Sequence, residues 1–307
     1  MAGTARPALS ASEAVARRLS RGGTDWRSWI LEGALLLSLL VALGILLVLL
    51  ADIAITAAPV LLDRPADFLS SPMSARAERA GIAQALLGSI LLTLIVLTVA
   101  IPIGIGAAIY LEEYARDTRL TRFIRTNVRN LAGVPAIVYG LLGLAMFVTL
   151  LGMGRVLLAG GLTLAVLVLP IVIITTSEAL SAVPGAIREA AYGVGATRWE
   201  TVRSHVLPYA APGIFTGTIL SLARAFGETA PLLMVGAIAG TFSLAGGPVE
   251  QLTSRYTSLP TVIFHWAGYP QADFRALTAA AIAVLMVVIL LVNASAIFLR
   301  NRYDRKW

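Results

Sequence analysis

Six stretches of this chain are apolar for about 20 residues or more, the length a helix needs to cross a hydrocarbon core of roughly 30 Å. They lie at 29–51, 82–110, 128–151, 156–176, 211–240 and 276–299. Lipid offers the backbone no hydrogen-bond partner, so runs of this length fold as helices whose N–H and C=O groups are satisfied internally. The expected fold class is all-α, a polytopic membrane protein with six transmembrane helices. Only 13 % of the 307 residues are charged, against about a quarter in soluble domains. Pro102, Pro135, Pro170 and Pro231 fall inside the runs, where neighbouring helices can re-satisfy the freed carbonyls. Gly213/Gly217 and Gly236/Gly240 have the spacing that lets helices approach closely.

Several chemistries are absent from the residue inventory. There is no cysteine, hence no disulfide, thiolate metal site or cysteine nucleophile. His205 and His265 are the two histidines, too few for a histidine-built metal site. The one lysine, Lys306, stands near the C-terminus, whereas a nucleotide-binding P-loop ends a glycine-rich turn in Lys-Ser/Thr. No cofactor and no catalytic residue is expected, and energy must arrive through a partner protein or an ion gradient. The net charge of +7 reads as topology signals in short loops, and no nucleic-acid partner is expected.

Those signals set an orientation. Arg6, Arg17, Arg18, Arg21 and Arg27 precede the first run; Arg116, Arg119, Arg122, Arg125 and Arg129 follow the second. Arg188, Arg198 and Arg203 follow the fourth, and Arg300, Arg302, Arg305 and Lys306 the sixth. These seventeen stand against six (Arg64, Arg76, Arg79, Arg155, Arg255, Arg275) in the opposite loops. Both termini and the loop after the fourth run are therefore expected in the cytoplasm. The first apolar run exceeds a signal-peptide core and follows a long basic tail, so it reads as a retained helix. The expected organisation is a disordered basic tail at 1–28, a first helix and outer loop at 29–81, a transmembrane domain at 82–299, and a basic tail at 300–307.

The loop at 178–209 changes character. Pro184 suits a first helical turn, and Ile187, Ala190 and Ala191 recur on one face beside the polar Arg188 and Glu189. Gly193 and Gly195 break that helix. Thr197 and Glu200 have capping-box spacing for a second helix, with Trp199, Val202 and Val206 on one apolar face and Pro208 as its end. Two short helices at an angle would form a rigid lever.

The pattern Glu189-Ala190-Ala191, Gly195, then Leu207-Pro208 resembles the EAA loop of ABC-importer permeases of the binding-protein-dependent type. The segments 131–140 (LAGVPAIVYG), 223–233 (ARAFGETAPLL) and 111–115 (LEEYA) are similar to the phosphate-specific permeases, and Gly-Glu-Thr-Ala-Pro-Leu-Leu looks like their A-type subunit. His205 departs from the family, which has an aliphatic residue there. The resemblance covers about residues 80 to 300. It implies a type I ABC-importer permease fold in a bacterial or archaeal plasma membrane, forming half of a phosphate pathway. Implied partners are a homologous C-type permease subunit in a heterodimer, two ATPase subunits that hydrolyse the ATP, and an extracytoplasmic phosphate-binding protein. Glu189, Ala190, Ala191, Gly195, Leu207 and Pro208 would receive the mechanical input.

Arg224 and Glu228 fall inside the fifth run, where an ionised side chain costs at least about 2.5–3.5 kcal/mol. Spaced i,i+4, they can pair on one helix face. A dehydrated oxyanion needs fixed donors, and a guanidinium presents a planar fork to two oxygens. Arg224 is read as a transient phosphate contact, Glu228 as its gate partner and Thr229 as a neutral donor; a structural ion pair is the alternative. Glu178, with Thr175 and Thr176, suits an exit lining or a headgroup level. Asn293 suits an interhelical hydrogen bond. Leu120, Phe123 and Ile124 among Arg119, Arg122 and Arg125 suggest an interfacial helix facing lipid or a partner. Phe264, His265, Trp266 and Tyr269 suit a membrane interface or a docking surface. Alternatives are a same-class permease for sulfate or molybdate, or an ion-coupled secondary carrier with Glu228 as proton relay.

Overall fold

A computed structural model describes residues 26–237 and 247–303. The expectations for the tails at 1–25 and 304–307, for Gly240 and for the loop residues up to 246 lie outside the described residues.

Every regular element among the described residues is helical. Helix α1 (Trp26–Asp63) is followed by α2 (Pro65–Ser70) and a 3-10 turn, Ala77–Arg79. Helix α3 (Ala83–Ile109) runs into a π turn, Tyr110–Tyr114. Helix α4 (Arg119–Ala132) precedes α5 (Ala136–Gly143), itself extended by a π turn, Leu144–Leu150. Then come α6 (Leu157–Ser181), α7 (Gly185–Gly193) and α8 (Arg198–Thr201). A π turn, Val202–Val206, leads into α9 (Leu207–Gly227), followed by α10 (Ala230–Val235). Helices α11 (Pro248–Thr253), α12 (Leu259–Ala267) and α13 (Asp273–Tyr303) complete the order.

Five helices are long and apolar enough to span a bilayer, and a bent pair makes a sixth if counted as one span. That pair corrects the expected third span at 128–151. Residues 128–132 belong to α4, and the chain turns by 103° before 136–150. The cause is local: Pro135 disfavours helical backbone at Val134 and supplies no N–H, so the helix stops at Ala132 and restarts at Ala136. The fifth span, expected unbroken over 211–240, also divides. Helix α9 ends at Gly227, Glu228 is extended (φ −76°, ψ 126°), and α10 ends at the left-handed Gly236.

Contacts divide the chain at Asp52. The described part of the first unit is the N-terminal stretch of α1, where Leu35, Leu39, Leu43 and Leu46 are all exposed. A helix apolar all round belongs in lipid or against another apolar helix. The second unit is built around α6, the most buried of the candidate spans. Leu164, Leu167, Val168 and Val172 of α6 pack with Leu92, Val96 and Ala100 of α3 in one apolar cluster. Small residues set the approach: a Cβ at Gly104 would lie 2.6 Å from Val172, and one at Gly217 would lie 2.3 Å from the Thr175 hydroxyl. Gly213, whose added Cβ would meet Ala179 at 2.8 Å, completes the expected Gly213/Gly217 contact between α9 and α6. Two buried hydroxyls bond back within their own helices, Thr163 to the Ala159 carbonyl (2.7 Å) and Ser221 to that of Gly217 (2.8 Å).

Candidate functional site

The loop after α6 folds as its residues dictate. Pro184 stands at the N-cap of α7, which ends at Gly193. Gly195 has φ +87°, a left-handed conformation that glycine adopts without a Cβ clash, and it redirects the chain. Thr197 then closes the expected capping box: the Glu200 N–H donates to Thr197 Oγ1 (3.3 Å), and the Thr197 N–H donates to Glu200 Oε2 (2.7 Å). Pro208 does not end this second helix. Residues 198–227 form one continuous helical stretch of 30 residues. A proline ring normally clashes with the carbonyl four residues back; the π turn Val202–Val206 directly ahead relieves that clash. The lever's second helix and the fifth span are therefore a single rod, roughly 45 Å long at 1.5 Å per residue.

This loop is clasped to the inner ends of two spans. Arg188 of α7 donates from Nη2 to Glu113 Oε1 (2.6 Å) and from Nε to both carboxylate oxygens (3.3 Å each). Its Nη1 and Nη2 also reach the carbonyls of Val183 (2.8 Å) and Leu180 (2.9 Å), which follow or end α6. Glu113 sits in the π turn closing α3, and its side chain is only 5 % exposed. The adjacent Glu112 pairs with Arg125 of α4 (3.1 Å), and the Arg198 guanidinium lies 5.5 Å from the Tyr114 ring. The π turn thus connects α3, α4, α7 and α8. Sequence reasoning quoted residues 111–115 as a family likeness and gave them no role. The signal it lacked was a buried glutamate, which needs a cation in reach.

The remaining coupling candidates face outward or inward as follows. Glu189 and Ala190 are exposed, Ala191 is buried, Gly195 and Pro208 are exposed and Leu207 is half-buried. Glu189 has no ion pair among the described residues. The expected apolar face divides: Val202 and Val206 are fully buried, while Trp199 is exposed, as are Tyr192 and Val194. Beside Glu189 the loop therefore presents an uncovered aromatic and aliphatic patch. His205 is exposed too.

Arg224 and Glu228 do pair, Nε to Oε1 at 3.3 Å, with side-chain exposures of 52 % and 18 %. They do so across a helix end rather than along one face, since α9 stops at Gly227. The C-terminal carbonyls of a helix favour a cation in the last turn, where Arg224 stands. Thr229 is half-buried at the N-cap of α10. Helix α10 packs on α5, where a Cβ at Gly140 would lie 2.7 Å from Pro231 Cα. The two breaks at Gly133–Pro135 and Gly227–Thr229 thus belong to helices in mutual contact.

Other candidates separate. Thr175 packs against Gly217 and bonds to the Ile171 carbonyl (3.0 Å), so it faces α9 and not an exit. Thr176 is buried with no hydroxyl partner among the described residues, whereas Glu178 lines a cavity of about 240 Å³ with Glu112, Arg125, Arg129, Ser177 and Ser181. Among the described residues Asn293 Oδ1 has no partner, so the expected interhelical bond is not made through that oxygen. Trp266 is core, 2 % exposed against Phe274, while Phe264 is exposed and His265 stacks edge-on with Tyr269. Among the described residues no group of three or more His, Cys, Asp and Glu is placed to hold a metal ion.

The family described as binding-protein-dependent transport system inner membrane component matches residues 100–306. Over 171 residues the chain is 39 % identical to "Probable ABC transporter permease protein YqgI" of Bacillus subtilis, spanning 56 % of this chain and 58 % of that protein. It is 35 % identical to "Phosphate transport system permease protein PstA" of Xylella fastidiosa, covering 73 % of this chain and 77 % of that one. It is 34 % identical to PstA 1 of Mycobacterium tuberculosis (72 % and 70 %). Among solved structures, an inward-facing MetNI methionine ABC transporter chain matches with TM-score 0.60 at 18 % identity, covering 73 % of this chain and 96 % of that one. A bacterial alginate ABC transporter chain matches with TM-score 0.67 at 16 % identity (91 % and 96 %). At those identities the likeness is one of fold.

Proposed function

This chain belongs to the family of binding-protein-dependent transport system inner membrane components, and we propose that it is the phosphate-conducting permease subunit of an ATP-driven importer. It is a multi-pass membrane subunit without an enzymatic role of its own. One of two ATPase subunits binds its coupling loop on the cytoplasmic side, a homologous C-type permease completes the pathway, and an extracytoplasmic phosphate-binding protein delivers the cargo. Both termini face the cytoplasm, as the arginine distribution favours. The phosphate assignment is supported by identities of 34–36 % to PstA proteins over about 73 % of this chain.

The observation that carries the driven gate is the continuous rod from α8 to Gly227. Its first turn bears the exposed Trp199, next to α7 with Glu189 and Tyr192; its last turn bears Arg224, paired with Glu228 just beyond. A push by the ATPase at Glu189, Ala190 and the adjoining patch tilts the rod about its contact with α6. The Arg188–Glu113 clasp carries the same push to α3 and α6. At the far end, tilting exchanges Glu228 for a phosphate oxygen on Arg224, with Thr229 as a neutral donor. Two states biased by nucleotide and ligand suffice for alternating access.

The cargo is tested by uptake of labelled phosphate into vesicles holding the assembled importer, challenged with excess unlabelled anions. Unlabelled phosphate should suppress the signal and sulfate or molybdate should leave it unchanged. Suppression by either of the latter would assign this permease to another oxyanion.

A further inference from the structure

Among the described residues, helix α4 is the one long amphipathic element that the coupling scheme leaves without a task. We propose that it lies flat in the membrane interface, on the face that carries the coupling loop, and binds anionic phospholipid head groups. Its axis turns by 103° from the segment 136–150. If that segment spans the bilayer, α4 runs nearly parallel to the membrane plane. No residue of α4 is buried by this chain. Leu120, Phe123, Ile124 and Leu131 recur along one stripe and are all exposed, the first two by about two-thirds of their surface. At 100° per residue Arg122 falls on the other side of the helix, Arg119 borders the stripe next to Phe123, and Arg129 lines the cavity beside Glu112 and Glu178.

The inner side of the helix is already anchored. Arg125 pairs with Glu112 and donates to the Leu111 carbonyl, and Val128 packs partly against the cluster formed by α3, α6 and α9. Thr118 caps its N-terminus through the Thr121 N–H (3.2 Å). Its rotation is therefore fixed, with the apolar stripe uncovered. Arg119 and Arg129 have no ion pair among the described residues, and Arg122 has only the exposed Asp117 at 3.4 Å. An apolar stripe opposite a basic face is the pattern of helices that lie in an anionic lipid interface. A subunit interface is a poorer fit, because the cores of such interfaces are depleted of charge. Phosphodiester head groups supply the anion, and arginines beside an anionic leaflet attract it. The proposal rests on the membrane-spanning architecture and not on the cargo, so a failed phosphate assignment leaves it standing.

The absence of cysteine in this chain makes the test specific. Phe123→Cys, labelled with a nitroxide in the assembled importer whose other chains lack cysteine, is placed in vesicles of phosphatidylcholine with phosphatidylglycerol. Collisions with oxygen should exceed those with a water-soluble nickel chelate. The reverse order would place the stripe in water, and protection from both would place it against a partner protein; either result overturns the proposal. A fluorophore at the same position should be quenched roughly two- to five-fold more by spin-labelled phosphatidylglycerol than by spin-labelled phosphatidylcholine. Arg119→Gln with Arg122→Gln should bring the two to equality. Equal quenching in the parent protein would overturn the head-group recognition.

Discussion

All three nitrogens of the Arg188 guanidinium are engaged, on Glu113 and on the carbonyls ending α6. Removing it strands a carboxylate that is almost fully buried, which costs about 3–5 kcal/mol for a buried pair. Arg188→Ala should therefore lower the thermal midpoint of the solubilised complex clearly. Arg188→Lys keeps the charge but not the planar fork, and should fall between. The Arg224–Glu228 pair behaves differently, because half of the Arg224 side chain is exposed. Such a pair contributes only about 0–1 kcal/mol. Arg224→Gln should accordingly leave assembly and melting unchanged while uptake is lost. Normal uptake in that variant, or collapse of the complex, would return the pair to a structural role. The pair itself was legible in the sequence, since two ionisable groups four residues apart inside an apolar run demand an account. The clasp was not, because Glu113 and Arg188 are 75 residues apart and each alone resembles an ordinary headgroup-level charge.

At the scale of elements, the account depends on the rod and on its close contact with α6. Ser204→Gly with His205→Gly would soften the π turn at about 1 kcal/mol per glycine if placed within regular helix. ATP hydrolysis by the complex should persist and phosphate movement per ATP should fall; an unchanged ratio would mean that the rod does not transmit. Gly217→Val would drive a branched side chain into Thr175, already 2.3 Å from a simple Cβ. It should abolish assembly, as judged by co-purification of the partner subunits. Spans, capping box and the Gly193–Gly195 redirection were legible because they rest on periodicity and local chemistry. The two helix breaks and the passage through Pro208 were not. Proline marks where a regular turn must change but leaves open how: at Pro135 the chain bends by 103°, and at Pro208 it continues through a π turn. Tertiary contacts, with α10 against Gly140 and α9 against Thr175, accompany those outcomes.

For the whole molecule, the fold class followed from apolar run length alone and the two-helix lever from a polar segment between two such runs, whereas a coupling role for it is what the resemblance of 189–208 to the EAA loop implied. Within the second unit, the exposed Tyr192, Val194 and Trp199 are consistent with a part in a larger assembly. The central claim is that ATP hydrolysed elsewhere moves this subunit and thereby phosphate. Its most direct test is phosphate uptake by vesicles containing this subunit, its partner permease, the ATPase and the binding protein, with Glu189→Ala and Arg224→Gln examined singly. The account predicts uptake that requires ATP and fails in both variants although each complex is intact. Uptake that follows an imposed proton gradient and is indifferent to ATP would contradict it, and would make Glu228 the proton-carrying residue of a secondary carrier.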